Sequence, residues 1–184
     1  MISDYEVFIH ISGIYSMVKN GFGQKPIKEI PPLIMAAIDK KNPDVQKMIL
    51  NTNCDSRCFR ILEPKFLNSK NQSEVFYKFG KKLKEENEKA VAVFFAGMFF
   101  ANEPDPDTGL IHEENKHECF VISALTADGR SVSRVIPLDR DPEGFLILLN
   151  TKKQYDEKEY GCLKDFFRGY DSGYWSFSKL FGGN

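Results

Sequence analysis

Apolar residues recur every three or four positions over the first twenty residues, which is the spacing of one face of an α-helix. Ser3 and Glu6 precede this stripe at the spacing of a capping box, and Gly21 follows it as a C-terminal stop signal. The pattern therefore predicts a helix over residues 3–20. Its buried stripe is predicted to consist of Val7, Phe8, Ile11, Ile14, Tyr15 and Val18.

Three further segments before residue 90 have helical features. Prolines near their starts predict short helices at residues 32–40 and 42–51, because proline is favoured at the first helical position. A third helix is predicted at residues 71–87, where Asn71 and Glu74 have capping-box spacing. Its apolar stripe is predicted to consist of Val75, Phe76, Phe79 and Leu83.

An uninterrupted apolar run, AVAVFFAGMFFA, occupies residues 90–101. Both odd and even positions are apolar, which is expected of a strand covered on both faces. A buried helix would have a similar pattern, but Gly97, the β-branched residues and the aromatics favour a strand. We therefore predict a central strand here, and a shorter strand at residues 58–62.

A hairpin is predicted from the segment that follows. Residues 119–126 and 130–136 form two strand-like runs, and Asp128 and Gly129 lie between them. Asp-Gly is typical of a type I′ turn, which requires positive φ angles. Pro137 is expected to end the second of these strands or to mark a sheet edge.

The succession of short connections predicts an α+β fold, in which a short antiparallel β-meander of about four strands packs with the N-terminal helices. The fourth strand is placed at 145–149, after a turn at 139–144, and residues 102–116 are predicted to form a long polar loop. We expect a single domain over residues 1–184. Its parts are a helical portion at 1–89, the meander at 90–150 and an aromatic-rich tail at 160–184.

Composition excludes several classes of function. The 184 residues include 25 basic and 26 acidic side chains, so no overall field attracts nucleic acid, and no nucleic-acid partner is expected. The N-terminus has Asp4 and Glu6 where a signal peptide has basic residues, and the longest apolar run is too short to span a bilayer. We therefore expect a soluble cytosolic protein with reduced thiols and no membrane association.

The polar segment at 102–118 is the first candidate for chemistry, because it is rich in carboxylate and imidazole donors that suit a divalent metal ion. Its spacing matches neither the HExxH motif nor a calcium-binding loop. The preferred interpretation is a solvated loop between two strands, and a pH-sensing role for the two histidines is a further alternative. In the metal-site hypothesis the ligands are Asp105, Asp107, His112 and His117, and the catalytic carboxylates are Glu113 and Glu118.

Cysteines and arginines provide weaker candidates. Cys54 and Cys58 form a CxxxC pair, which would need two further ligands to bind metal, and small buried thiols explain them equally well. Arg130 and Arg134 share one strand face, where they could bind a carboxylate or phosphate or pair with acidic side chains.

The C-terminal tail has seven aromatic residues among its last nineteen. Aromatic side chains are enriched at interfaces, but the tail can also fold back over its own domain. A short helix is predicted around Leu163, Phe166 and Phe167. The interface hypothesis assigns the contacts to Tyr170, Tyr174, Trp175, Phe177 and Phe181.

These observations favour a non-enzymatic cytosolic binding protein without a cofactor. Its predicted partner is another protein or a second copy of itself, in a homodimer formed through the sheet edge or the tail. The alternative is a divalent-metal-dependent hydrolase that uses the segment at 102–118, with a nearby Glu as general base.

Overall fold

The computed structural model describes residues 1–24, 26–41, 57–62, 67, 70–104, 111–148, 154–156 and 162–181. Of these, it describes the backbone alone at 22–24, 41, 57, 100–104, 111–117, 154–156 and 173–181. The elements in these ranges are α1 (Asp4–Gln24), β1 (Leu33–Lys41), β2 (Arg57–Leu62), α2 (Gln72–Glu85), β3 (Ala90–Pro104), β4 (Ile111–Thr126), β5 (Ser131–Arg140), β6 (Leu146–Leu148), β7 (Gln154–Asp156) and α3 (Leu163–Phe181).

The strands form one antiparallel sheet in the order β2-β1-β3-β4-β5-β6, and β7 also pairs with β5. Since β2 and β3 are both antiparallel to β1, they run parallel to each other on its two sides, and α2 connects them. The predicted α+β class is confirmed, although the described sheet has seven strands rather than about four. The predicted strand at residues 90–101 is confirmed as β3, in the interior of the sheet.

Helices cover both faces of the sheet, which explains why β3 is apolar on both faces from Ala90 to Ala96. Ala92 and Phe94 pack in the core beneath α1, together with Phe120 of β4. Val93 and Phe95 face the other way and pack in a second core beneath α2 and α3. Burial of apolar area on both faces is the main stabilising term of the fold.

The predicted N-terminal helix is confirmed as α1, and its capping box is present. The Ser3 amide donates to Glu6 Oε2 at 2.8 Å, and the Glu6 amide donates to Ser3 Oγ at 3.2 Å. Val7, Ile11 and Ile14 are buried as predicted. The assignment of Phe8 to the buried stripe was wrong, because its side chain is 41% exposed on the flank of the helix.

The predicted helix at residues 32–40 was wrong, because this segment forms β1. It lies between β2 and β3, and Ile34, Ala36 and Ala37 are fully buried. A segment with apolar residues at both odd and even positions fits a strand covered on both faces as well as it fits a buried helix. Here the segment is a strand because it pairs with β2 on one side and β3 on the other. The strand predicted at 58–62 is confirmed as β2, and the helix predicted at 42–51 lies outside the described residues.

The prediction of a long loop at residues 102–116 was also wrong over most of that segment. β3 continues to Pro104 and β4 begins at Ile111, with Asn102 in register with Lys116. Polar side chains predicted a loop, but strand pairing uses main-chain groups and does not need apolar residues. Pro137 likewise does not end its strand, because β5 continues through it to Arg140.

The β4–β5 hairpin is confirmed, but its turn differs from the predicted type I′. Gly129 has a φ of 88°, whereas Asp128 is not among the non-glycine residues with positive φ in the described part. The Gly129 amide donates to the Thr126 carbonyl at 3.0 Å, and the Thr126 amide donates to the Arg130 carbonyl at 2.9 Å. This is a three-residue connection with glycine in the left-handed position.

The two helices on the second face pack unusually closely. A Cβ atom added to Gly80 of α2 would collide with the carbonyl oxygen of Phe166 in α3, and one added to Gly169 of α3 would collide with the carbonyl oxygen of Tyr77 in α2. Glycine at both positions therefore lets the two backbones touch. The α2 helix begins at the predicted Asn71, whose side chain makes no cap hydrogen bond, and α3 is longer than the short helix predicted.

Candidate functional site

The structure separates the residues of the predicted metal site into three groups. Asp105 and Asp107 lie outside the described residues, whereas His112, Glu113 and His117 lie on β4, where only the backbone is described. Among the side chains that are described, no cluster of three or more His, Cys, Asp or Glu is placed to hold a metal ion. The metal site and the hydrolase alternative stay predictions.

Glu118, the remaining member of that set, forms an ion pair with Arg140 of β5. Arg140 Nε donates to Glu118 Oε2 at 2.6 Å, and a terminal guanidinium nitrogen donates to Oε1 at 2.8 Å. The hydrogen bond to Glu118 raises the pKa of Arg140 above its ordinary value. Arg140 also donates to the Gly144 carbonyl at 2.7 Å, so the pair fixes the β5–β6 turn against β4. A catalytic role for Glu118 stays a prediction.

The cysteines that the structure describes lie on separate elements and are not joined in disulfides. Cys58 is on β2, Cys119 is on β4, and Cys162 precedes α3. Burial raises the pKa of Cys162, and the nearby Asp165 adds to this shift. A raised pKa lowers the thiolate fraction at neutral pH, so Cys162 has the character of a structural thiol. Cys54 lies outside the described residues.

Arg130 and Arg134 do share a sheet face, and both point toward α1. Arg130 pairs with Asp4 and Asp128, so acidic side chains already occupy its guanidinium. The Arg134 guanidinium lies 3.7 Å from the centre of the Tyr15 ring, and the residue is 8% exposed. This cation–π contact helps to hold α1 on the sheet.

The described part of the aromatic tail contacts its own chain. The Tyr170 hydroxyl donates to the Glu88 carbonyl at 2.9 Å and accepts from the Ala90 amide at 3.3 Å. Its ring stacks on Phe166, a buried residue of α3. The other predicted interface residues lie on α3 where only the backbone is described, so the tail interface stays a prediction. These residues are Tyr174, Trp175, Phe177 and Phe181.

A groove at the edge of the sheet is the candidate site that combines apolar and charged side chains. It lies between β2, the first strand in the sheet order, and α2, and it has a volume of about 310 Å³. No described strand pairs with the outer side of β2. We call it the edge groove, and it is lined by Arg60, Ile61, Leu62, Val75, Lys78, Phe79, Lys82, Leu83 and Glu86.

Local sequence explains the shape and charge of the edge groove. Phe79 and Leu83 of α2 face the sheet and form an apolar floor, whereas the lysines of the same helix point outward and form a basic rim. Ile61 is 59% exposed, although isoleucine is normally buried. Arg60 pairs with Glu88, and Lys82 lies 3.7 Å from Glu86. Such exposed pairs are weak and can be exchanged for pairs with a ligand.

Sequence reasoning missed this site because no local pattern shows how β2 and α2, although consecutive in the chain, pack against each other. The lysines of α2 alternate with glutamates, a pattern that is typical of a solvated helix face and does not show that these lysines lie along a groove. The strand at 58–62 was recognised, but nothing in its sequence shows that it ends the sheet. The one local signal is Ile61, an apolar residue next to Arg60 in a short strand.

Comparison of the chain with family models, curated proteins and solved structures found no match. Among the described residues, no helix is long and apolar enough to cross a membrane.

Proposed function

We propose that the protein is a non-enzymatic binding module that takes an extended segment of a partner protein as an additional strand beside β2. One observation carries this proposal: the outer side of an edge strand lies next to an apolar groove with a basic rim. Sheet edges are usually covered or blunted because they invite pairing with other chains. Here the edge has an exposed isoleucine, Ile61, which favours such pairing.

Strand addition explains how an edge of six residues can bind a partner. The added segment forms main-chain hydrogen bonds with β2 over about 20 Å, and these provide affinity for any sequence in extended conformation. Alternate side chains of the segment then point into the groove and provide specificity.

The lining residues indicate the chemistry of the partner segment. Phe79, Leu83 and Val75 favour apolar side chains at the positions that enter the groove. The three cationic side chains of the rim, Arg60, Lys78 and Lys82, are paired with Glu88, Glu74 and Glu86. These exposed pairs are weak, so acidic residues of a bound segment can replace the glutamates, and acidic flanking residues are favoured. The expected ligand is a segment in which apolar residues alternate with Asp or Glu.

The proposal includes a reducing, cytosolic location. The thiols of Cys58 and Cys162, which form no disulfide, support it, because thiols persist in a reducing compartment.

Fluorescence anisotropy with a library of labelled ten-residue peptides tests the proposal. Peptides that alternate apolar and acidic residues are expected to bind with dissociation constants on the order of 1–100 μM, in the range of transient interactions. Ile61→Asp places a negative charge on the exposed edge strand β2, where it repels the acidic residues of an added segment, and it is expected to weaken binding by roughly tenfold, or about 1.4 kcal/mol.

Ile147→Asp is the matched control, because Ile147 is also an exposed strand isoleucine but lies on β6. The affinity of the Ile147→Asp variant for the peptides should equal that of the unsubstituted protein. Equal loss in the two variants, or no saturable binding by any alternating peptide at 1 mM (roughly the millimolar limit of weak binding), would overturn the proposal.

A further inference from the structure

Arg134 of β5 is a buried arginine whose charge is not balanced by a carboxylate. The residue is 8% exposed, and arginines are almost never buried to this extent unless they are paired. Within the part of the chain that the structure describes, no acidic side chain pairs with Arg134, and no acceptor takes a hydrogen bond from its guanidinium. Its contact with the Tyr15 ring therefore leaves the positive charge without a counterion.

Two other arginines at the ends of the same strand have the pairing that Arg134 lacks. Arg130 pairs with Asp4 and Asp128, and Arg140 pairs with Glu118, although both arginines are far more exposed. Transfer of a cation from water into a buried position is costly unless an anion accompanies it. A cation–π contact offsets only part of this cost. The most buried of the three guanidinium groups is thus the one that would gain most from a bound anion.

The contact with Tyr15 leaves the hydrogen-bond donors of Arg134 available. The guanidinium carbon lies 3.7 Å from the centre of the ring, so the planar group lies flat on the ring, because an edge-on approach at this distance would push a nitrogen into it. The N–H groups point outward in the plane of the guanidinium and are not covered by the ring. Tyr15 is only partly buried, and its hydroxyl has no partner among the described residues.

We infer that Arg134 and Tyr15 bind a small organic carboxylate between β5 and α1. Two parallel N–H groups of a guanidinium match the two oxygens of a carboxylate, and the tyrosine hydroxyl is a further donor beside them. A carboxylate carries a single negative charge, which balances the single buried cation, whereas a phosphate dianion would place excess charge in the same partly buried position. Val132, a partly buried residue on the same strand face, offers apolar contact to a short alkyl group.

The surroundings of this site favour entry of an anion. Lys19 lies one helical turn after Tyr15 on α1 and is exposed, so it adds positive potential near the site. With one buried cation and few atoms in the ligand, the expected dissociation constant is on the order of 1–10 mM. The inference does not depend on the proposed function, because the edge groove lies beside α2, on the opposite face of the sheet.

Thermal unfolding of the full chain with sodium acetate, sodium butyrate, sodium phosphate or sodium chloride, at matched ionic strength and neutral pH, tests the inference. Acetate and butyrate at about 100 mM should raise the melting temperature by about 3 °C or more above the value in chloride, and the rise should saturate. Arg134→Met should abolish this rise. Because replacement of a buried charge by an apolar residue of similar size is often neutral or stabilising, the variant is expected to fold. Arg134→Lys keeps the charge without the planar fork and should weaken binding about tenfold.

Arg140→Met is the matched control, because Arg140 is also on β5 but already pairs with Glu118. It should leave the dissociation constant for acetate within about twofold of that of the unsubstituted chain. In nuclear magnetic resonance, the Nε–H signal of Arg134 should shift with acetate and saturate at the same dissociation constant. A rise in melting temperature no larger than that in chloride, or an equal rise in Arg134→Met and the unsubstituted chain, would overturn the inference. Tighter binding of phosphate than of acetate would overturn the assignment to a carboxylate.

Discussion

At the scale of single residues, Arg130 connects the β4–β5 turn to the start of α1. Its Nε donates to both carboxylate oxygens of Asp128, at 3.2 and 3.1 Å, and a terminal nitrogen donates to the Ile2 carbonyl at 2.6 Å. It also pairs with the Asp4 side chain. These charge-assisted bonds hold Ile2, a core residue, in place under the sheet.

Replacement of Asp128 by Asn should destabilise the protein in a pH-dependent way. Hydrogen bonds from Arg130, and then from Thr126, hold the pKa of Asp128 below its ordinary value of 3.8. A carboxylate with a depressed folded-state pKa contributes stability above its unfolded-state pKa, and this contribution is lost as pH falls through the folded-state pKa. The wild-type protein should therefore be more stable than Asp128→Asn at pH 7, and this difference in the free energy of unfolding should disappear as the pH falls below 3.8.

Urea unfolding of both proteins at a series of pH values measures this difference. The Asp128–Arg130 pair is exposed, so the stability difference is small and both proteins must be measured under identical conditions at each pH. A stability difference that is the same at neutral and acidic pH would contradict the electrostatic account.

Residue-scale contacts were predictable only where the pattern is local. Ser3 and Glu6 are three positions apart and formed the predicted capping box. The strand period correctly placed Arg130 and Arg134 on one face. Their partners Asp4 and Tyr15 come from α1, more than a hundred residues away, and no local pattern encodes that proximity.

At the scale of elements, the contact between α2 and α3 depends on two reciprocal glycines. Gly80→Ala or Gly169→Ala places a Cβ against a backbone carbonyl of the facing helix, so the helices must separate. Overpacking of this kind is expected to cost about 1–3 kcal/mol in the free energy of unfolding. Chemical denaturation measures the effect.

Gly21→Ala is the control for these two variants, because its Cβ would point into open space. It should leave stability unchanged or raise it by up to about 1 kcal/mol, as expected for an exposed helical glycine. Equal effects at the three positions would show that α2 and α3 do not touch at Gly80 and Gly169.

Elements with one apolar face were predictable, whereas those covered on both faces were ambiguous. The one-sided stripes of α1 and α2 have clear helical periodicity, and both helices were predicted. The first six residues of β1 are all apolar, so no period is visible there and the preceding prolines favoured a helix. Its conformation depends on pairing with β2 and β3, which is a tertiary effect.

At the scale of the whole molecule, the sheet separates two sites. Arg134 lies against α1 on one side, and the edge groove opens beside α2 on the other. The α+β class was predictable because helical and strand periods occupy different parts of the chain. The edge groove was not, since it depends on the order of strands in the sheet.

A binding module of this kind should fold without metal. We expect no stoichiometric divalent ion by elemental analysis of the purified protein, and a melting temperature that is unchanged by EDTA. Bound metal at one ion per chain, with a lower melting temperature in EDTA, would instead favour the hydrolase prediction for residues 102–118.

The most direct test of the central claim is backbone hydrogen exchange of the full chain, followed by mass spectrometry, with and without the tightest alternating peptide at saturation. Strand addition beside β2 predicts slower exchange in residues 57–62, because amides on the outer side of this strand gain hydrogen bonds. Exchange in α1 should not change. Saturating peptide that leaves exchange in β2 unchanged, or that protects a different element, would contradict the account.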